Sequence, residues 1–128
     1  SRGLGDVYKR QGSYVIGNRT LNLTSLPYSK DFSFEKNLNT IYLNAEQLTG
    51  DFEIRTWQQG DKISPFGMNG KQKISDILIN QKVPLHLKRD EMVLLYKGQI
   101  IWLIGRRASN LYKITNSSIL RIDVKYNS

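Results

Sequence analysis

The stretch from Met92 to Ile104 constrains this chain more than any other. Met92-Val93-Leu94-Leu95-Tyr96 and Gln99-Ile100-Ile101-Trp102-Leu103-Ile104 flank a Lys97-Gly98 pair. Two short apolar runs joined by a glycine-bearing pair predict a β-hairpin, with Gly98 supplying the positive φ that such a turn needs. The five-residue run Ile100–Ile104 falls far short of the ~20 residues that span a bilayer, so the hairpin belongs to a soluble core.

Other segments have the same β texture. Tyr14-Val15-Ile16 and Leu21-Asn22-Leu23-Thr24 read as strands around a Gly17-Asn18 turn, and Leu26-Pro27-Tyr28 breaks the second. Ile41–Asn44 is a third strand. In Asp51–Trp57, Phe52, Ile54 and Thr56 alternate with Glu53, Arg55 and Trp57. Ile119–Tyr126 alternates likewise and predicts a last half-buried strand. Between them, Gly60-Asp61 marks a turn, and Pro65, Gly67, Asn69 and Gly70 mark a loop. Ile74, Ile77, Leu78 and Gln81 recur at helical spacing, with Ser75 as cap and Pro84 as boundary. Pro84 is then expected at the first position of a second helical turn. The sum is an α+β domain, β-rich, with one or two short central helices.

At 128 residues the chain fits one domain. Ser1–Gln11, SRGLGDVYKRQ, has no clean period and no initiating methionine. It reads as a non-native leader, with the native chain expected to begin upstream and the domain to occupy residues 12–128. No apolar signal-like stretch stands near the N-terminus, so an intracellular, cytoplasmic location is expected. The absence of cysteine excludes a disulfide scaffold, a thiolate zinc site and a cysteine nucleophile.

The net charge of +8 is concentrated. Residues 12–54 carry three basic and five acidic side chains, whereas residues 55–107 carry ten basic and four acidic ones. A basic block of this kind suits an anionic partner, most often nucleic acid, or else forms a solvated face. Lys71, Lys73, Lys82, Lys88 and Arg89 surround the predicted helix and its loop; they are the candidate RNA-binding residues. A glycine-rich loop entering a helix start would present amides to phosphate, and the cations would release counterions. Trp57, Phe66 and Tyr112 offer stacking faces, although Trp57 and Phe66 beside Pro65 more often serve as core or loop anchors. Asp61 is expected to cap its loop or pair with Arg55 or Lys62, a structural role favoured over contact with a base.

Enzymatic motifs are missing. Gly70-Lys71 lacks the upstream glycine and following hydroxyl residue of a phosphate-binding P-loop, and no G-x-S-x-G or G-x-G-x-x-G occurs. His86, the sole histidine, has only Asp90 four residues on. That is too little for a metal site.

From Arg55 to Gly105 the order of residues is distinctive. Arg55-Thr56-Trp57-Gln58-Gln59-Gly60-Asp61-Lys62-Ile63-Ser64-Pro65-Phe66-Gly67-Met68 precedes Lys73-Ile74-Ser75-Asp76-Ile77-Leu78-Ile79-Asn80-Gln81-Lys82-Val83-Pro84, then Arg89 and Ile101-Trp102-Leu103-Ile104-Gly105. This pattern resembles the C-terminal domain of bacterial tRNA(Ile)-lysidine synthetases. Gln59, Gln72 and Met92 depart from that family's usual proline, lysine and proline.

The resemblance implies a β-sandwich-like domain, similar to one in the phenylalanyl-tRNA synthetase β chain, that engages the acceptor region of tRNA(Ile). It further implies a parent enzyme that joins lysine to the wobble cytidine, using ATP and Mg in an N-terminal catalytic domain. That domain's S-G-G-x-D-S loop does not occur in this sequence, so no catalytic residue or cofactor is expected here. Arg55, Gly60, Asp61, Pro65, Gly67, Pro84, Trp102 and Gly105 are then framework residues, with Trp102 in the core. The alternatives are a domain that docks the catalytic body, or an independent basic RNA-binding module. No membrane partner is implied.

Overall fold

The computed structural model describes residues 12–35, 37–48, 50–65, 67–109 and 118–127. The expected leader, and Phe66 and Tyr112 among the stacking candidates, lie outside the described residues. The strands are β1 (Gly12–Ile16), β2 (Arg19–Leu26), β3 (Thr40–Asn44), β4 (Phe52–Thr56), β5 (Lys62–Ile63), β6 (Gln72–Lys73), β7 (Met92–Tyr96), β8 (Gln99–Leu103), β9 (Arg107–Ala108) and β10 (Ile119–Tyr126). Two helices, α1 (Ile74–Asn80) and α2 (Leu85–Lys88), stand between β6 and β7. The β-rich α+β expectation holds.

The strands form two sheets. The first is fully antiparallel, in the order β1-β2-β10-β3, and β10 pairs along its whole length with β2. Its alternating sequence leaves one face apolar and the other polar. Leu21, Leu23, Ile41, Leu43, Leu120, Ile122 and Val124 point inward. On the outer face Arg121 pairs with Asp123 at 3.1 Å, and Thr40 Oγ1 donates to Asp123 Oδ1 at 2.7 Å.

The second sheet runs β4-β7-β8-β5-β6, with β9 also on β8. It is buried on both faces. One face packs Phe52, Ile54, Leu94, Tyr96, Ile101 and Trp102 against the first sheet. The other packs Val93, Leu95, Ile100 and Leu103 against Ile74, Ile77, Leu78 and Val83 of α1 and its end. Burying each such side chain stabilises the fold by roughly 1.5–3 kcal/mol. Two-sided burial explains why β7 and β8 are continuously apolar while β10 alternates.

The hairpin turn places both Lys97 (φ 51°) and Gly98 (φ 77°) in the left-handed region. Its ladder contains a bulge: Leu94 faces Trp102 while Leu95 faces Ile100. Ile101 is the extra residue, so Ile101 and Trp102 both reach the core between the sheets.

Two helix expectations are corrected. Ser75 is not the cap of α1: Lys73 occupies that position, with no side-chain capping bond. The amide of Ile74 is instead satisfied by the Asp61 carbonyl at 2.9 Å. Pro84 is the N-cap of α2 rather than its first residue. It lacks an N–H in any case, and its carbonyl accepts from Leu87 and Lys88 at 2.9 Å each.

Candidate nucleic-acid interface

The loop 57–61, between β4 and β5, organises the basic side of the second sheet. Asp61 holds it closed. Its carboxylate receives Arg55 Nη1 at 2.9 Å and Nη2 at 3.0 Å, a bidentate pair, and the Gln58 amide at 2.7 Å. The hydrogen bond to Asp61 raises the Arg55 pKa above its ordinary value, partly opposed by burial. Arg55 also donates to the Thr56 carbonyl at 3.0 Å. Asp61 therefore pairs with Arg55, not Lys62, and Gly60 turns the loop at φ 91°. On the other flank, Trp57 Nε1 donates to the Lys88 carbonyl at 2.7 Å and its amide to Glu91 O at 3.0 Å.

The candidate cations divide around this loop. On one side Lys71 joins Arg55, Lys62, Gly60, Gly98 and Gln99 around a groove of about 280 Å³. Lys73 sits directly opposite Lys62 in the β5–β6 pair, and both are exposed. On the other side, Lys88 and Arg89 border a groove of about 730 Å³ with Trp57 and Gln59. Lys82 lines neither groove. The Gly70 loop does not run directly into the helix start, because β6 lies between them, and the Ile74 amide is taken by the Asp61 carbonyl.

Lys82 caps the other end of α1. Its φ is 56°, and the bonds Val83 N to Leu78 O at 3.1 Å and Lys82 N to Ile79 O at 2.9 Å form a Schellman motif. That position ordinarily favours glycine.

Sequence reading missed three participants. Lys62 was visible within Asp61-Lys62-Ile63, but its pairing with Lys73 depends on a two-residue strand too short to show a period. Gln59 shows no pattern of its own. Glu91 is buried, receiving Arg106 Nε at 2.7 Å and lying 3.8 Å from buried Arg19. Arg106 also reaches Gln81 Oε1 at 3.1 Å, and Arg19 reaches the Asp90 carbonyl at 3.1 Å. This cluster ties the β1–β2 turn of the first sheet to the end of α2, so it is structural. Arginines make every salt bridge among the described residues, and lysines make none.

Comparison with known proteins gives a consistent result. Residues 52–124 match the model of the TilS substrate C-terminal domain. The chain belongs to this family. The tRNA(Ile)-lysidine synthase of Bacteroides thetaiotaomicron is 36% identical over 91 residues, covering 71% of this chain and 21% of that protein. That of Clostridium acetobutylicum is 31% identical over 108 residues, covering 84% and 23%. The chain thus spans between a fifth and a quarter of the length of these curated relatives. A crystal structure of a TilS C-terminal domain superposes with a TM-score of 0.74 at 16% identity, covering 87% of each chain; it supports the fold. No helix among the described residues is long and apolar enough to cross a membrane.

Proposed function

We propose that residues 12–128 form the tRNA-engaging C-terminal domain of a cytoplasmic tRNA(Ile)-lysidine synthase. In this reading the parent enzyme joins lysine to the wobble cytidine of tRNA(Ile), with ATP and Mg held by an N-terminal catalytic domain. Among the described residues no three metal-ligating side chains converge. Its role is to hold the acceptor region of the tRNA.

The observation that carries this reading is the facing pair Lys62 and Lys73. Like charges directly opposite on paired strands destabilise a protein by about 0.2–1 kcal/mol. Neither lysine has an acidic partner among the described residues. A polyanion laid across β5–β6 removes that repulsion and releases counterions. Lys82, a charged residue at a position suited to glycine, points the same way. A second reading, docking against the catalytic body, draws on the exposure of Ile79, Leu85 and Leu87 beside the same face.

The test is electrophoretic mobility shift of this chain with tRNA(Ile) over a range of salt. Affinity is expected to fall steeply with salt, and Lys62→Glu with Lys73→Glu, or Lys73→Glu with Arg89→Glu, to abolish the shift. Undiminished binding by both double variants would overturn the assignment.

A further inference from the structure

Resting on the reading of this face as RNA-binding, we infer that the groove between loop 57–61 and α2 holds an unpaired nucleobase, stacked on Trp57, with its phosphate on Arg89. The groove is lined by Trp57, Gln59, Leu85, His86, Lys88 and Arg89, is open to solvent and has a volume of about 730 Å³. That volume lies within the range of small-ligand sites and admits a nucleotide.

Three features select this occupant. Trp57 is half-buried: part of it packs on the core beneath α1, and the rest borders the groove. Its indole is held by Nε1 to the Lys88 carbonyl, and its backbone by the amide to Glu91 O. A fixed aromatic face costs little ordering when a base stacks on it. Secondly, among the described residues the lining contains no carboxylate and two cations, so the site suits a neutral ring attached to a phosphate. Lastly, Gln59 supplies a donor and an acceptor on one side chain, the pairing edge that a base presents when it is out of a duplex. Leu85, 80% exposed, is an apolar group that a base would cover.

A paired base cannot meet these requirements, because its pairing edge is occupied and, inside a duplex, so are its faces. The groove therefore distinguishes single-stranded from duplex RNA, a distinction that the lysines of β5–β6 do not make. Duplex RNA would lie on the lysines, and an unpaired residue next to it would enter the groove.

The experiment compares this chain with a single-stranded RNA hexamer and with a blunt RNA duplex, following tryptophan emission and affinity. Trp102 is buried, so quenching reports on Trp57. The hexamer is expected to quench the emission and the duplex to leave it unchanged. Trp57→Ala is expected to weaken hexamer binding about tenfold, the effect of losing one stacked base, with duplex binding retained. Gln59→Ala with Arg89→Ala, both at exposed positions, gives the same selective loss and answers the case in which Trp57→Ala fails to fold. Equal loss for hexamer and duplex in the Gln59/Arg89 variant, or hexamer binding without quenching, overturns the inference. If Lys62→Glu with Lys73→Glu abolishes duplex binding while the groove variants change nothing, the nucleobase site fails and the RNA-binding reading stands. If neither RNA binds, the RNA-binding reading itself fails, and with it this inference.

Discussion

The two sheets are built from similar residues and do different work. The first buries one face and solvates the other, so its strands alternate. The second buries both faces, with the first sheet on one side and α1 on the other, and the candidate RNA-binding residues stand at its β5–β6 edge and in the helical layer beside it. A sheet held on both faces is a rigid base for short loops. The 57–61 loop and the two-residue strands β5 and β6 could not hold their geometry alone. They depend on Ile63 beneath α1 and on Asp61, whose side chain binds Arg55 and whose carbonyl receives the start of that helix.

The strongest test of this division sets the layers against each other. Leu78→Ala on the buried face of α1 and Leu21→Ala in the first sheet should each cost about 2–5 kcal/mol in urea unfolding. Affinity for tRNA, measured where both remain folded, should fall only for Leu78→Ala. An equal loss for both would dissolve the distinction. Next in size, Arg55→Lys keeps the charge but loses the bidentate fork on Asp61. It should cost about 1–3 kcal/mol and weaken tRNA binding through the loop. Gly105→Ala tests the seam between the sheets. Gly105 has φ +80°, and an added Cβ would collide with Tyr126 Oη, while that hydroxyl donates to the Ile104 carbonyl at 3.3 Å. The expected loss is about 1–2 kcal/mol, with tRNA affinity of the folded protein unchanged.

The smaller effects carry the opposite sign. Lys82→Gly relieves the left-handed backbone and should stabilise the domain by about 1 kcal/mol. Lys73→Glu converts a repulsive facing pair into an attractive one and should add about 0.2–1 kcal/mol. Both are expected to weaken tRNA binding and to reduce its salt dependence. Thermal unfolding and salt-dependent binding on the same variants check the two signs together. A lysine whose loss both destabilises the fold and spares RNA binding belongs to the scaffold, not to the interface.

Much of this architecture was legible from local pattern. The hairpin at Met92–Ile104 shows as two continuous apolar runs around Lys97-Gly98, the strand at Ile119–Tyr126 alternates over its whole length, and the helix at Ile74–Asn80 keeps its apolar spacing over two turns. The ordered motif from Arg55 to Gly105 carried the family. What stayed hidden has short range in sequence but long range in space. Strands β5, β6 and β9 have two residues each, so no period can form. The bulge at Ile101 is silent because its neighbours on both sides are apolar. Ser75 looked like a cap because serine favours that role, yet the Asp61 carbonyl, distant in sequence, already meets the first amide. The five candidate cations read as one patch, but loop 57–61 stands between two groups of them, and only the tertiary fold shows that.

Strand β10 has a further consequence, in the order of synthesis. It lies between β2 and β3 and pairs with both. Until Ile119–Tyr126 leaves the ribosome, the first sheet lacks its centre, and β2 and β3 expose their apolar faces and open edges. The second sheet, whose strands end at Ala108, has emerged by then. A message cut short just before β10 would yield a chain holding every candidate RNA contact but an unclosed sandwich, a substrate for chaperones and proteases rather than a working domain.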